Sequence, residues 1–174
     1  PQFDSEGGIS GLLVFVQDVT SRRRAEEALR ESQAKLSGAF AGTDEAMIIT
    51  RQSDNFIVDM NDAAERLFGW PRSDMIEKSR NALNVWVDPD ALQRMRQTFA
   101  ETGRLSDYPA HFRNRSGQEM ECILAASRFE TAIGGYNFWI IRDVTEARQA
   151  ERRIATLNAA NEAALRQIRN IADN

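Results

Sequence analysis

At 174 residues, with 42% apolar and 28% charged side chains, the chain has the size and composition of an ordinary folding domain and not of a disordered or collagen-like one. Its 22 basic and 26 acidic residues give a net charge of −4, which offers no electrostatic reason to bind a phosphate backbone. One cysteine and one histidine exclude an internal disulfide, a Cys/His zinc site and a c-type haem attachment. No apolar run approaches the ~20 residues of a membrane helix and no secretory leader opens the chain, so the reading is cytoplasmic, with neither membrane nor nucleic acid as partner. Beginning at Pro1 and ending in a strongly periodic segment, the sequence reads as an excerpt from a longer chain.

In chain order, Leu12 to Val16 is an apolar, strand-like run ending in Asp18-Val19-Thr20. Residues 21–40 carry Ala25, Leu29, Leu36 and Phe40 among charges without proline, which predicts an amphipathic linker helix. Ala46 to Thr50 and Phe56 to Met60 are β-rich runs separated by the turn-forming Gln52-Ser53-Asp54-Asn55, a hairpin. Asn61 or Asp62 caps a helix over Ala63 to Phe68 that Gly69 and Pro71 end, and short helical turns are expected from Asp74 to Ser79. Asp88-Pro89-Asp90 opens a longer helix, with Leu92, Met95 and Phe99 at helical spacing, which Gly103 closes. Tyr108 to Asn114, Glu119 to Phe129 and Tyr136 to Val144 read as three further strands, the first two joined by a tight turn at Ser116-Gly117.

The order is two strands, short helices, three strands, which predicts an α+β fold: a five-stranded antiparallel sheet with its helices inserted between the second and third strands. Met47, Ile48 and Ile49, like Phe138 to Ile141, place apolar side chains on both faces of that sheet. Helices can bury one face, and the other calls for a flanking helix or a partner subunit.

The Asp-Val-Thr exit occurs twice. Asp18 and Asp143 lie 125 residues apart, as do Ala25-Glu26 and Ala150-Glu151 in the helical segments that follow. Residues 1–20 therefore read as the last strand of an upstream unit, 21–40 as a linker, 41–145 as a complete second unit and 146–174 as a trailing helix. Cut from its parent unit, Leu12 to Val16 is expected to be disordered, to pair with a partner's sheet or to promote aggregation.

After Thr145, residues Ala147, Ala150, Ile154, Leu157, Asn161, Ala164, Ile168 and Ile171 alternate at spacings of three and four, a heptad seam with Ala147 at position a. Ile154 at a, Leu157 at d and a polar Asn161 at a favour a parallel two-stranded coiled coil, and hence a homodimer, over a helix packed on its own domain. Thr145 occupies the expected N-cap position with Asp143 just outside it, the joint between strand and helix.

These landmarks together resemble the PAS domain over about residues 30–146: Asn61 opening the first helix, Leu67-Phe68-Gly69-Trp70-Pro71, Trp86-Val87-Asp88-Pro89 entering the long helix, Arg115-Ser116-Gly117 at a hairpin, and Arg142-Asp143-Val144-Thr145 leading into a signalling helix. The resemblance implies a slice of a multi-PAS bacterial-type sensor, with adjacent PAS units and an output domain, a histidine kinase or a diguanylate cyclase, outside this chain. It implies N- and C-terminal signalling helices flanking the sheet, and a pocket between sheet and helices that in other members takes haem, flavin or a small metabolite. No cysteine lies between Asp74 and Asn84, which argues against the cysteinyl-flavin photosensors, and no histidine between Asp90 and Gly103, which argues against b-type haem. No cofactor is predicted; a noncovalent flavin or a small metabolite is the alternative reading.

A two-residue turn at Ser116-Gly117 sets His111 opposite Cys122 across the hairpin. As a functional pair they would contact a ligand or sense redox state on the pocket face, together with Leu124 and Trp86; as a packed cross-strand pair they would be inert, which is the favoured reading. Trp70 and Trp86 suit a planar ligand but suit a core better, Met75, Met95 and Met120 fill irregular space, and Arg22-Arg23-Arg24 reads as a solvated helix face. Asp59, Asp62 and Glu65 lack the spacing of a calcium loop. No catalytic constellation is present. The expectation is a non-enzymatic relay in which Asp143 and Thr145 pass a shift of the last strand into a coil built on Ile154, Leu157, Asn161 and Ile168.

Overall fold

A computed structural model describes residues 2–3, 9–11, 20–78 and 84–172. The chain divides into two compact units, Pro1–Ala39 and Phe40–Asn174. In the first, β1 (Gln2–Phe3) and β2 (Ile9–Gly11) pair antiparallel and α1 (Thr20–Ala41) begins, its last two residues belonging to the second unit. Leu29 and Leu36 of α1 are exposed, and Phe40 near its end is half-buried. The orphan run Leu12 to Val16 and its Asp-Val-Thr exit up to Val19 lie outside the described residues.

The second unit is the α+β domain expected, with five antiparallel strands in the order β4-β3-β7-β6-β5. β3 (Ala46–Arg51) and β4 (Ile57–Met60) form the first hairpin; α2 (Asp62–Phe68), α3 (Arg72–Met75) and α4 (Pro89–Thr102) follow; β5 (Arg104–Arg113), β6 (Glu119–Thr131) and β7 (Gly134–Asp143) complete the sheet before α5 (Thr145–Ala172). Of the helical stretch expected at Asp74 to Ser79, the residues to Lys78 hold only the end of the single turn of α3, which begins behind Pro71 and ends where Ile76 takes an extended ψ of 139°; Ser79 lies outside the described residues. Asp88 caps α4 by accepting from Asp90 N at 2.8 Å, and Gly103 ends it at φ 66°, a left-handed conformation that glycine adopts without strain.

Alternation sorts the sheet's side chains. Ala46, Ile48 and Thr50 of β3, Asn137, Trp139 and Ile141 of β7, and Met120, Cys122, Leu124 and Ala126 of β6 are buried against the helices. Met47, Ile49, Ile123, Phe138 and Ile140 occupy the other face and are half-buried. In β5 the alternation slips once: Leu105 pairs with Ala126 and Tyr108 with Leu124, so one strand has an extra residue. Asp107 takes a φ of 49° at this bulge, which allows Leu105 and Ala110, five positions apart, both to point inward. The outer edge of β5 is covered by the segment before α4, where Val87 N donates to His111 O and Arg113 N to Val85 O.

The hairpin between β5 and β6 differs from expectation. Gly117 N donates to Asn114 O, Asn114 N donates to Gln118 O, and Gly117 stands at φ 87°, so three residues and not two make the loop. Asn114 Oδ1 decides this by accepting from Ser116 N, Ser116 Oγ and Gln118 N. The odd loop shifts the register by one: His111 faces Glu121, and Ala110 faces Cys122.

Candidate functional site

The register shift separates the proposed pair. His111 points to the outer face and is exposed, whereas Cys122 is 2% exposed inside the core. Burial, with the charge of Asp143 adding to it, pushes the Cys122 thiol up to about 12, so it is neither a ready nucleophile nor a ready redox group. Neither residue lines the cavity between sheet and helices. Trp86 and Leu124 do, alongside Ile48, Phe68, Phe112 and Trp139. Trp86, partly buried against the core, meets the Phe112 ring edge-on at 4.9 Å.

That cavity is apolar and holds about 30 Å³, room for a single water-sized sphere. A drug- or cofactor-sized ligand needs roughly 300 Å³ or more and a few convergent polar groups. The described walls do not fit a flavin. Among the described residues no group of three His, Cys, Asp or Glu could hold a metal ion.

The other candidate site is the joint between sheet and trailing helix. Thr145 N donates to Asp143 Oδ1 at 2.8 Å and Thr145 Oγ1 donates to the same oxygen at 2.6 Å. The hydroxyl in turn accepts from Glu121 N at 2.9 Å, and Val144 N donates to Glu121 O at 2.8 Å. Arg148 N closes the first helical turn on Val144 O. Thr145 is therefore the first helical residue and not the cap: Asp143 satisfies its N–H, and its hydroxyl is committed to β6.

Glu121 holds the helix a second time. Its two carboxylate oxygens accept from Arg152 Nη1 and Nη2 at 2.6 and 2.9 Å, a bidentate bond reaching back from the second turn of α5. The Arg152 hydrogen bond, helped by the charges of Arg152, His111 and Arg148, holds the Glu121 carboxyl below its ordinary range. Sequence reasoning marked Asp143 and Thr145 but missed Glu121 and Arg152, 31 residues apart, because only register brings β6 beside the start of the helix.

A matching anchor sits where the chain enters the domain. Asn61, 3% exposed, accepts from Ala64 N and from Met47 N and donates through Nδ2 to the carbonyls of Phe40 and Glu45. The cap foreseen for α2 thus also ties down the residues leading into β3. Glu45 reaches across to Arg142, whose Nε donates to Oε1 at 2.8 Å. Ala46 pairs with Ile141. Entry into β3 and exit from β7 therefore lie side by side at one end of the two central strands.

Past this clamp α5 stands clear of the domain. Ala150 is half-buried and every described side chain from residue 151 to 167 is exposed, with Ile154 at 59% and Leu157 at 63%. The helix packed over its own domain is thus not what the structure holds. The side chain of Ile168 lies outside the described residues. No helix among the described residues is long and apolar enough to cross a membrane.

Comparison with solved structures finds the same fold. The PAS domain of an HTR-like protein from Haloarcula marismortui superposes with a TM-score of 0.56 at 20% identity, covering 70% of this chain and 98% of that one. A PAS domain from Colwellia psychrerythraea gives 0.55 at 20% identity, covering 68% and 98%. One from a two-component sensor histidine kinase gives 0.52 at 15%, covering 66% and 98%. No curated protein sequence matches the chain. The family model of the PAS domain matches residues 44–146, from just before β3 to the first turn of α5. The chain belongs to the PAS domain family.

Proposed function

We propose that this chain is a sensory relay: a PAS unit that dimerises through α5 and passes a conformational input into that helix, without transforming a substrate. The observation that carries the reading is the contrast along α5. Its first two turns are held to β6 by Thr145 and Arg152, while its apolar seam beyond is bare. An exposed run of Ile154 and Leu157 costs free energy that a second copy of the helix would recover. A small displacement of β7 or β6 would turn or tilt the helix stem through Asp143 and Glu121, and a paired rod carries that change along its length.

Entry and exit lying side by side supports input from the chain that precedes β3, through Asn61, as well as from a ligand. The output domain of such a relay lies outside this chain, and the similarity to a PAS domain from a sensor histidine kinase favours a kinase of two-component type over a diguanylate cyclase. Such a relay works in the cytoplasm beside neighbouring PAS units. A noncovalent flavin finds no support in the walls of the core cavity.

Cysteine cross-linking tests the dimer. In a parallel coil Leu157→Cys, at a d position, forms an interchain disulfide on mild oxidation, whereas Ala159→Cys, on the outer side of the helix, does not. A chain that stays monomeric at high concentration and gives no Leu157→Cys cross-link would remove the relay reading.

A further inference from the structure

His111, the one histidine of the chain, belongs neither to the core nor to the bonds that hold α5. Its carbonyl accepts from Val87 N, so its backbone polar groups point away from β6, while Glu121 turns its own toward Val144 and Thr145. The two residues are partners in the β5–β6 register and therefore form a non-hydrogen-bonded pair. In such pairs the Cα atoms come to about 4.5 Å and the side chains lie closest. His111 is exposed, and the Glu121 side chain is 24% exposed. The imidazole makes no hydrogen bond or ion pair among the described residues.

Glu121 is thus approached from two sides, by Arg152 along α5 and by His111 across the ladder. The other charges around the ring are engaged. On its own strand Arg113 donates to Glu119 of β6 at 2.7 Å. The segment that covers the outer edge of β5 brings Val87 beside His111, and its acid, Asp88, caps α4 and meets Arg94 at 3.4 Å. On α5, Arg148 acts on Glu121 and Glu151 on Arg152 through charge alone. That leaves Glu121 as the anion opposite the imidazole.

We propose that protonation of His111 loosens the stem of α5. A neutral ring leaves both Glu121 oxygens to Arg152, and the fork needs both. A charged ring draws one oxygen across the ladder and repels the guanidinium, so the released stem binds the proton more tightly than the clamped one. The clamp is therefore held at the upper end of the imidazole range and lost as pH falls through it, between about pH 8 and pH 5. Loss of the Glu121 charge itself is a separate step at lower pH, because the Arg152 hydrogen bond holds that carboxyl below its ordinary range. The inference deepens the relay reading by naming an input, and rests on it only for what happens beyond the stem.

Amide exchange over residues 146–153 of the untagged full chain tests it, at about pH 7.5 and about pH 5.5, with rates corrected for intrinsic exchange. Protection is expected to fall about two- to fivefold between the two, the weight of one exposed charge interaction. His111→Gln should remove that fall, and His111→Lys, charged at both values, should show the lowered protection throughout. Core amides of β6 and β7 should be equally protected in all three proteins, since the ring lies outside the core. An equal fall in His111→Gln would overturn the proposal, as would no fall in the unaltered chain or full protection of the stem in His111→Lys at about pH 7.5. A matching loss in the core amides would overturn it too, since the whole domain would then be opening. None of these failures touches the Leu157→Cys cross-link, and a missing cross-link leaves the pH response of the stem standing, so the two readings fall separately.

Discussion

Glu121 and Arg152 meet fork to fork, two parallel N–H···O bonds of 2.6 and 2.9 Å joining the start of β6 to the second turn of the trailing helix. The same Glu121 accepts from Val144 N through its carbonyl and donates through its N–H to the Thr145 hydroxyl. One residue of β6 therefore sets both where α5 starts and how it leans.

The pair confers a pH dependence whose sign follows from the carboxyl. Its folded-state value is held below the ordinary range, chiefly by Arg152, so the stabilisation is present above the unfolded value and is lost as pH falls through the folded one. Amide exchange in the first two turns of α5, compared between neutral and acidic pH after correction for intrinsic rates, should show protection falling on the acid side. Glu121→Gln should lower that protection several-fold at neutral pH and flatten its acid dependence. An unchanged acid response in the variant would assign the effect elsewhere.

Asn61 satisfies two N–H groups and two carbonyls from one buried side chain. Asn61→Ala should destabilise the domain by about 2–4 kcal/mol, combining a lost helix cap with buried backbone groups left unpaired. Urea unfolding at an unchanged m-value is the measurement, and a loss below about 1 kcal/mol would show that water replaces the amide there.

Asn161 lies at an a position of an exposed seam. In the dimer, Asn161→Ile should raise stability and loosen register, since a buried polar pair specifies alignment at a cost in free energy. Sedimentation equilibrium reads the first effect and cross-linking from neighbouring d positions the second. Unchanged dimer stability together with unchanged cross-links would exclude Asn161 from the interface.

Cys122 is buried and its thiol is pushed up to about 12. A thiol reagent at pH 8 should therefore label it only as fast as the domain opens, with the rate rising in urea in step with unfolding. Rapid labelling of the native protein would restore a redox role.

Much of the domain is local in origin and so is readable from the chain. Asn61 and Asp88 before helical runs, Gly69 and Gly103 after them, and alternation in β3, β6 and β7 each follow from the chemistry of neighbouring residues. The heptad seam of α5 is equally local, since its spacing alone places Ile154 and Leu157 on one stripe.

Register escaped that reading. Ser116-Gly117 suits a two-residue turn, but Asn114 Oδ1 gathers three donors in a three-residue loop, and that single extra residue moved His111 to the outer face while Cys122 stayed within. The clamp on α5 was hidden for a related reason. Glu121 and Arg152 are brought together by strand pairing and helix placement, and contacts between distant residues leave no periodic trace in the chain. Sequence by itself determined which segments become strand or helix, because each such choice is made by neighbours; only tertiary structure decided which side chains share a site, because strand offset and the crossing of helices over the sheet set those distances.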